Sequence, residues 1–390
     1  MSLLICGARV VKGDGSAPLA RADVRVQGTS VSEIGPSLSA SPGERVLEAD
    51  GRVLLPGFVD AHTHALWAGD RLDELELRQR GASYLEILKA GGGIWSTVRS
   101  VRAAPESELT AKLQERLAWM LREGTTTVEV KSGYGLTTAH ELKMLRAIAQ
   151  ASRGFRGGVV ATALLGHALD RADPDFVART IRETLPAVHR EFPRVAVDAY
   201  CEEGAWSLED CRALLREAKR LGHPLRLHAD QFHSLGATEL ALELGLRSVD
   251  HLEATPPEEL ERLARAGVFG VMLPASGFHV DGRYADARRF LDAGGKLVLA
   301  SNYNPGTAPT SSMPLVIALA VKQLKLTTLE AVTATTSRAA ELLGFDDRGT
   351  VDVGKRADLL LLRHRDERQL GYEIGGDPVL HVICGGELIK

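Results

Sequence analysis

The stretch GFVDAHTH, residues 57–64, decides the fold, because an apolar run of strand character ends there in two histidines instead of a bland turn. His62 and His64 are two residues apart, so at the strand period their imidazoles point to the same side. Two imidazoles so placed suit one transition-metal ion, although a pair of hydrogen-bonded surface histidines has the same spacing.

Working outward, seven more apolar runs share this character: TTTVEVKSG (125–133), GVVATALLGH (158–167), VAVDAYCEE (195–203), PLRLHADQ (224–231), RSVDHLE (247–253), VFGVMLPAS (268–276) and KLVLASN (296–302). The segments between them are helix-like. ESELTAKLQERLAWMLREG (106–124), for example, puts Leu109, Leu113, Leu117 and Met120 on one stripe and ends in a glycine suited to the position after a helix. Eight such units predict a TIM-like (β/α)8 barrel over residues 56–345, with its active site at the C-terminal ends of the strands. A doubly wound open sheet shares this periodicity. Residues 1–55 and 346–390 alternate β-branched and polar positions around Gly and Pro turns, which predicts a small β-sandwich domain formed jointly by the two chain ends.

The chain has 390 residues, 44% of them hydrophobic and 25% charged, and a net charge of −4. That balance gives no electrostatic reason for nucleic acid or acidic membranes as partners and leaves a small-molecule substrate as the expectation. Cys6, Cys201, Cys211 and Cys384 lack C-x-x-C spacing, so neither a disulfide framework nor a thiolate zinc site is expected. The N-terminal apolar run is broken by Gly7 and Arg9, too early for a signal segment, so the expected location is the cytoplasm. A homodimer is the base-rate expectation for assembly. GGGIWST (91–97) has neither the lysine of a phosphate loop nor a clear preceding strand, and reads as a mobile loop or a cover over the substrate.

The strand ends carry the functional argument. His167 closes strand three, His228 lies at the end of strand five, His251 at the end of strand six and Asn302 at the end of strand eight. A barrel gathers strands one, five, six and eight around one mouth, which favours a shared metal site over isolated histidines. H-x-H on strand one, His on five and six and an acid on eight is the pattern of the amidohydrolase superfamily, which this chain resembles. More narrowly it resembles the imidazolonepropionase family, nearly end to end, in PGFVDAHTH, KSGYGL, LGHA, DAYCEEGAWS, LRLHADQF, RSVDHLE and NYNPGT. GGGI-ST followed by KSGYGL is the family-specific part.

The resemblance implies metal-dependent hydrolysis of the cyclic C–N bond of imidazolone-5-propionate to N-formimino-L-glutamate. It makes His62, His64, His228 and position 302 ligands of one Zn²⁺ or Fe ion, and it has His251 orient the attacking water. It also implies that Arg71, Tyr134 and His167 contact the substrate, that Gln231 lies at the reacting ring, and that Asn304, Gly306 and Thr307 line the turn after strand eight. The residue chemistry agrees: Arg71 suits a substrate carboxylate, and His167 suits a ring carbonyl or an oxyanion. Lys131 falls on strand two, whereas the metal-bridging lysines of some amidohydrolases lie on strand four, so a single ion is expected and Lys131 reads as structural or supporting. Asp230 and Glu253 read likewise.

Asn302 is the main departure from the pattern the resemblance implies, and Gln231, where family members carry Glu, is a lesser one. An amide oxygen can face a metal, but an amide does not accept a proton near neutral pH. Three readings stay open: an Asp→Asn change in an otherwise competent enzyme, a variant in which His251 takes the proton, and a protein that binds without turnover. Another cyclic amidohydrolase, or a nucleobase aminohydrolase, is the alternative within the superfamily.

Overall fold

The computed structural model describes residues 2–81 and 92–390. The chain enters through β1 (Ser2–Val10), β2 (Leu19–Gln27), β3 (Ser30–Gly35), β4 (Arg45–Glu48) and β5 (Val53–Pro56). It then runs through eight strands separated by helices: β6 (Phe58–Asp60), β7 (Thr125–Lys131), β8 (Gly158–Gly166), β9 (Ala196–Cys201), β10 (Arg226–Ala229), β11 (Ser248–His251), β12 (Phe269–Met272) and β13 (Lys296–Leu299). It ends in β14 (Leu359–Leu362), β15 (Val379–Cys384) and β16 (Glu387–Leu388). Each of the eight runs read from the sequence forms one of the strands β6–β13, each parallel to the next in chain order. The doubly wound order is thereby excluded.

The sheet curls into a barrel whose seam is closed by the very segments that carry the site residues. No strand ladder joins β13 to β6 among the described residues. Instead Asn302 N–H donates to His62 O at 3.1 Å, His64 N–H donates to Tyr303 O at 3.0 Å, and Ser301 N–H donates to Asp60 Oδ1 at 3.1 Å. Burial pushes the Asp60 carboxyl up to about 7, against the pull of its bonds from Ser301.

The helix Glu106–Arg122 buries the predicted stripe of Leu109, Leu113, Leu117 and Met120. Gly124 follows it with φ +103°, and a Cβ there would lie 2.9 Å from Leu360 Cδ1, so the position needs glycine twice over. Of the loop expected over 91–97, Gly91 lies outside the described residues, Gly92 and Gly93 lead directly into a helix, and Ile94–Thr97 form the first turn of that helix, Ile94–Ala103, instead of a loop.

The strands of the two chain ends form one sheet, in the order β16-β15-β14-β5-β1-β2-β3, with β4 also paired to β1. β1–β2 and β2–β3 are antiparallel, as the short turns between them require, but β4 and β5 run parallel to β1. The sheet curls far enough for its ends to meet: a Cβ on Gly386 would lie 2.0 Å from Gly28 O. Strand periodicity lets this sheet serve two cores. Leu54, Leu359 and Leu361 belong to its own apolar cluster, while Val53, Leu55, Leu360 and Leu362 belong to the cluster of the barrel. Leu360→Ala should therefore cost about 2–5 kcal/mol and shift a single unfolding transition in urea, followed by circular dichroism. Two separate transitions would show that end sheet and barrel unfold independently.

Candidate active site

At the C-terminal mouth of the barrel, His62 and His64 from the end of β6 meet His228 from β10. Their rings are 4.5–5.4 Å apart by centroid, and one ligand atom from each lies within 4.8 Å of the others. Burial, and after it the Lys131 ammonium, holds His62 and His228 well below the usual imidazole range; burial and the neighbouring His167 do the same for His64. All three are thus neutral near pH 7, the form that ligates metals.

Two of the tautomers are fixed from behind. His62 Nδ1 lies 2.6 Å from Asp250 Oδ2, and His228 Nδ1 lies 3.1 Å from Asp198 Oδ1. Because a carboxylate only accepts, each Nδ1 carries the proton and each Nε2 keeps its lone pair. His228 Nε2 then lies 3.3 Å from His64 Nε2. Among the described residues, His62 Nε2, His64 Nδ1 and Asn302 Oδ1 are buried without a hydrogen-bond partner. Unpartnered buried polar atoms are costly, so a cluster of them beside neutral imidazoles fits a bound cation.

Beneath the histidines lies a charged network that reading residues singly missed. Lys131 Nζ is 2.9 Å from Glu129 Oε1, 3.0 Å from Asp198 Oδ2 and 3.8 Å from Asp250 Oδ2. Arg226 donates to Asp250 Oδ2 at 2.6 Å, to Ala61 O at 3.0 Å and to Ser248 Oγ at 3.1 Å. Burial alone would raise the Asp250 carboxyl, but Arg226 and Lys131 outweigh it and hold it below the ordinary range; at Asp198 burial wins and the shift is upward. A signal was available: Glu129 and Lys131, Arg226 and His228, and Ser248 and Asp250 are pairs two residues apart on strands that close a barrel.

The rim places the other expected residues. His167 stacks on His64, with ring centroids 5.0 Å apart, and Tyr134 lies 5.1 Å from His167. Burial brings the His167 imidazole down to about 4, and its Nδ1–H is committed to Gly133 O at 3.0 Å. Nε2 of this neutral ring therefore accepts rather than donates, which favours contact with a ring N–H over the carbonyl or oxyanion contact expected from sequence. His251 sits 6.1 Å from His62 and 5.7 Å from His228 by ring centroid, with Nδ1 3.2 Å from Glu253 Oε1. Gln231 Oε1 accepts from Tyr200 Oη at 2.8 Å. Arg71 donates to Glu74 at 2.6 and 2.9 Å, and Glu74 in turn accepts from Gly93 N–H at 2.8 Å. A Cβ on Gly306 would lie 2.1 Å from Arg71 Nη1.

Residues 74–389 match the model of an amidohydrolase family. The chain is 45% identical to the imidazolonepropionase of Herpetosiphon aurantiacus over 95% of its own length and 90% of that protein's. It is 41% identical to the imidazolonepropionase of Deinococcus radiodurans over 93% of its length and 90% of that protein's. This chain belongs to the imidazolonepropionase family of amidohydrolases. Solved structures with this fold include 5-methylcytosine deaminase from Klebsiella pneumoniae, with a TM-score of 0.77 at 16% identity, covering 100% of this chain and 97% of that one. N-isopropylammelide isopropylaminohydrolase from Burkholderia multivorans aligns with a TM-score of 0.73 at 21% identity, covering 99% and 97%.

The turn after β13 carries Asn302 in an uncommon backbone conformation. Asn302 has φ +55°, as Asp230 (+56°) and His251 (+89°) also have at the ends of β10 and β11. Asn is among the few side chains that adopt this region readily. Asn304 spends its amide on the turn: Nδ2 donates to Asn302 O and Thr307 Oγ1, and Oδ1 accepts from the N–H groups of Gly306 and Thr307. It shapes the site by holding the chain. Glu141 does the same for the KSGYGL loop, accepting from the N–H groups of Gly133, Gly135 and Leu136 at 2.7–2.9 Å. Glu141→Gln leaves at least one of these donors facing an NH₂ group. It should cost about 2–4 kcal/mol and speed amide hydrogen exchange at Gly133, Gly135 and Leu136.

Proposed function

We propose that this chain hydrolyses the ring C–N bond of imidazolone-5-propionate, giving N-formimino-L-glutamate, with one Zn²⁺ or Fe ion held by His62, His64, His228 and the Asn302 amide oxygen. Full-length similarity to imidazolonepropionases supports the substrate, and the three converging neutral imidazoles support the metal. A bound ion of this kind polarises a carbonyl oxygen and lowers the pKa of water. None of the described helices is long and apolar enough to cross a membrane, in keeping with a cytoplasmic enzyme acting on a small metabolite.

The chain's own residues supply the rest. Arg71, pre-aligned by Glu74, binds the propionate carboxylate while Glu74 holds its other edge. Tyr134 and His167 border the ring, with His167 Nε2 accepting a ring N–H. Gln231, whose oxygen is engaged by Tyr200, offers its NH₂ group to the ring. His251 is the proton acceptor, because Glu253 at 3.2 Å fixes its tautomer while the Asn302 amide is not basic. Water adds its hydroxyl to the acyl carbon, the C–N bond breaks, and the proton held by His251 passes to the departing nitrogen.

Loss of imidazolonepropionate absorbance, measured together with metal content, tests this assignment. His251→Ala should slow turnover by about 10²- to 10⁴-fold, whereas Asn302→Asp should change it by less than about 10-fold. A rise of about 10²-fold or more in Asn302→Asp would move the proton-accepting role to position 302. Binding without turnover in every variant would identify a ligand-binding homologue. Separately, Gly306→Ala should push the Arg71 guanidinium aside and raise KM by about 10- to 100-fold with little change in kcat, the loss expected for a charge-assisted hydrogen bond.

A further inference from the structure

The described residues contain a second group with the spacing of a metal site: Asp198, His228 and Asp250, all buried and with ligand atoms within 4.8 Å of one another. It shares His228 with the first group and lies on the Nδ1 side of that ring, deeper in the barrel. The place these donors would offer to a second cation already holds one. The Lys131 ammonium is 3.0 Å from Asp198 Oδ2 and 3.8 Å from Asp250 Oδ2, and Glu129 Oε1 at 2.9 Å completes a shell of three carboxylates. The side chains of Lys131, Glu129, Asp198 and Asp250 have no exposed surface.

We propose that Lys131 is a built-in cation that keeps this amidohydrolase site mononuclear: its ammonium stands where a second divalent ion would bind, and removing it opens that position to metal. The inference rests on the reading of the three histidines as a metal site only in sharing His228 with it. Charge argues for the assignment. Among the described residues, Lys131 and Arg226 are the Lys and Arg partners of Glu129, Asp198 and Asp250, so without the lysine two negative charges stay uncompensated in a buried site. Arg226 does not replace it: its guanidinium pairs with Asp250 Oδ2 at 2.6 Å and Glu129 Oε1 at 3.4 Å and bonds Ser248 Oγ and Ala61 O, which leaves Asp198 to Lys131 among the ion pairs of the described residues. The three carboxylates are a donor set that hard divalent ions accept, and His228 joins it only by giving up its Nδ1 proton. On this reading Lys131 is a positioning residue. Its charge keeps Asp198 and Asp250 turned to the Nδ1–H groups of His228 and His62 and not to a metal.

The test is Mn²⁺ binding to the full-length protein, with bound metal per chain measured after gel filtration and its spectrum recorded by electron paramagnetic resonance. Lys131→Ala should bind one ion more per chain than wild type and show the broadening of two nearby Mn²⁺ ions. Lys131→Arg, which keeps the charge, should match wild type. An unchanged stoichiometry in Lys131→Ala overturns the proposal. So does failure of that variant to give folded protein in the presence of Mn²⁺, because the ion would then not replace the ammonium. Wild type that binds no Mn²⁺ would refute the metal reading of His62, His64 and His228. The present inference would still require Lys131→Ala to exceed wild type by one ion.

Discussion

Three carboxylates and two cations share the interior of this barrel, and the rest of the site depends on their compensating one another. Moving a single ion from water into such an interior costs several kcal/mol even after relaxation, so none of the five is tolerable alone. Glu129 and Lys131 come from β7, Asp198 from β9, Arg226 from β10 and Asp250 from β11, so the network ties four of the eight strands together across the barrel axis. It also ties the strands to the chemistry. Asp250 and Asp198 fix the tautomers of His62 and His228, Arg226 reaches the carbonyl of Ala61 beside His62, and Glu129 accepts from Thr63 N–H between the two β6 histidines. A shift of register in any of these strands would strand a charge as well as misplace a ligand.

The same physics explains what could be read from the sequence. Eight apolar runs with polar ends are a consequence of strands buried on both faces, and they survive in the sequence because each run is local. The mouth residues were legible for the same reason: His62 with His64 is a pair on one strand, and His228, His251 and Asn302 each sit at the end of a run. The network was harder to read. Glu129 and Lys131 share a side by spacing alone, but that Lys131 reaches Asp198, sixty-seven residues on, is a fact of barrel curvature. The parallel pairing of β4 and β5 with β1 was illegible too, because a sheet built from both chain ends sets strand direction by its crossovers and not by turns. The roles of Asn304 and His167 needed coordinates, since which atom of an amide or imidazole is already spent is decided by neighbours distant in sequence or placed by the turn.

Three strand ends, those of β10, β11 and β13, hold non-glycine residues in the left-handed region, at a cost of about 1–3 kcal/mol each. At β13 that conformation lets one short segment do two things. The Asn302 N–H closes the seam onto His62 O, and its side-chain oxygen is left buried and unpartnered. Asp and Asn both accept this conformation, so the backbone does not discriminate between them. The electrostatics does. With Asn302, the four groups proposed to hold the divalent ion are all neutral, and the carboxylates of Asp250 and Asp198 stand behind two of the imidazoles.

That indirect arrangement makes the buried network part of the active site in an energetic sense. Its one unbalanced negative charge lies directly behind the histidines, and in a low-dielectric interior such a charge acts over several ångströms with little screening. An acid at position 302 would add a second negative charge in direct contact, strengthening the hold on the ion and supplying a base. Without it, affinity has to come from the anions behind the histidines, and basicity from a group outside the ligand set. His251, oriented by Glu253 and 5.7 Å from His228 by ring centroid, is the side chain proposed to meet that second requirement.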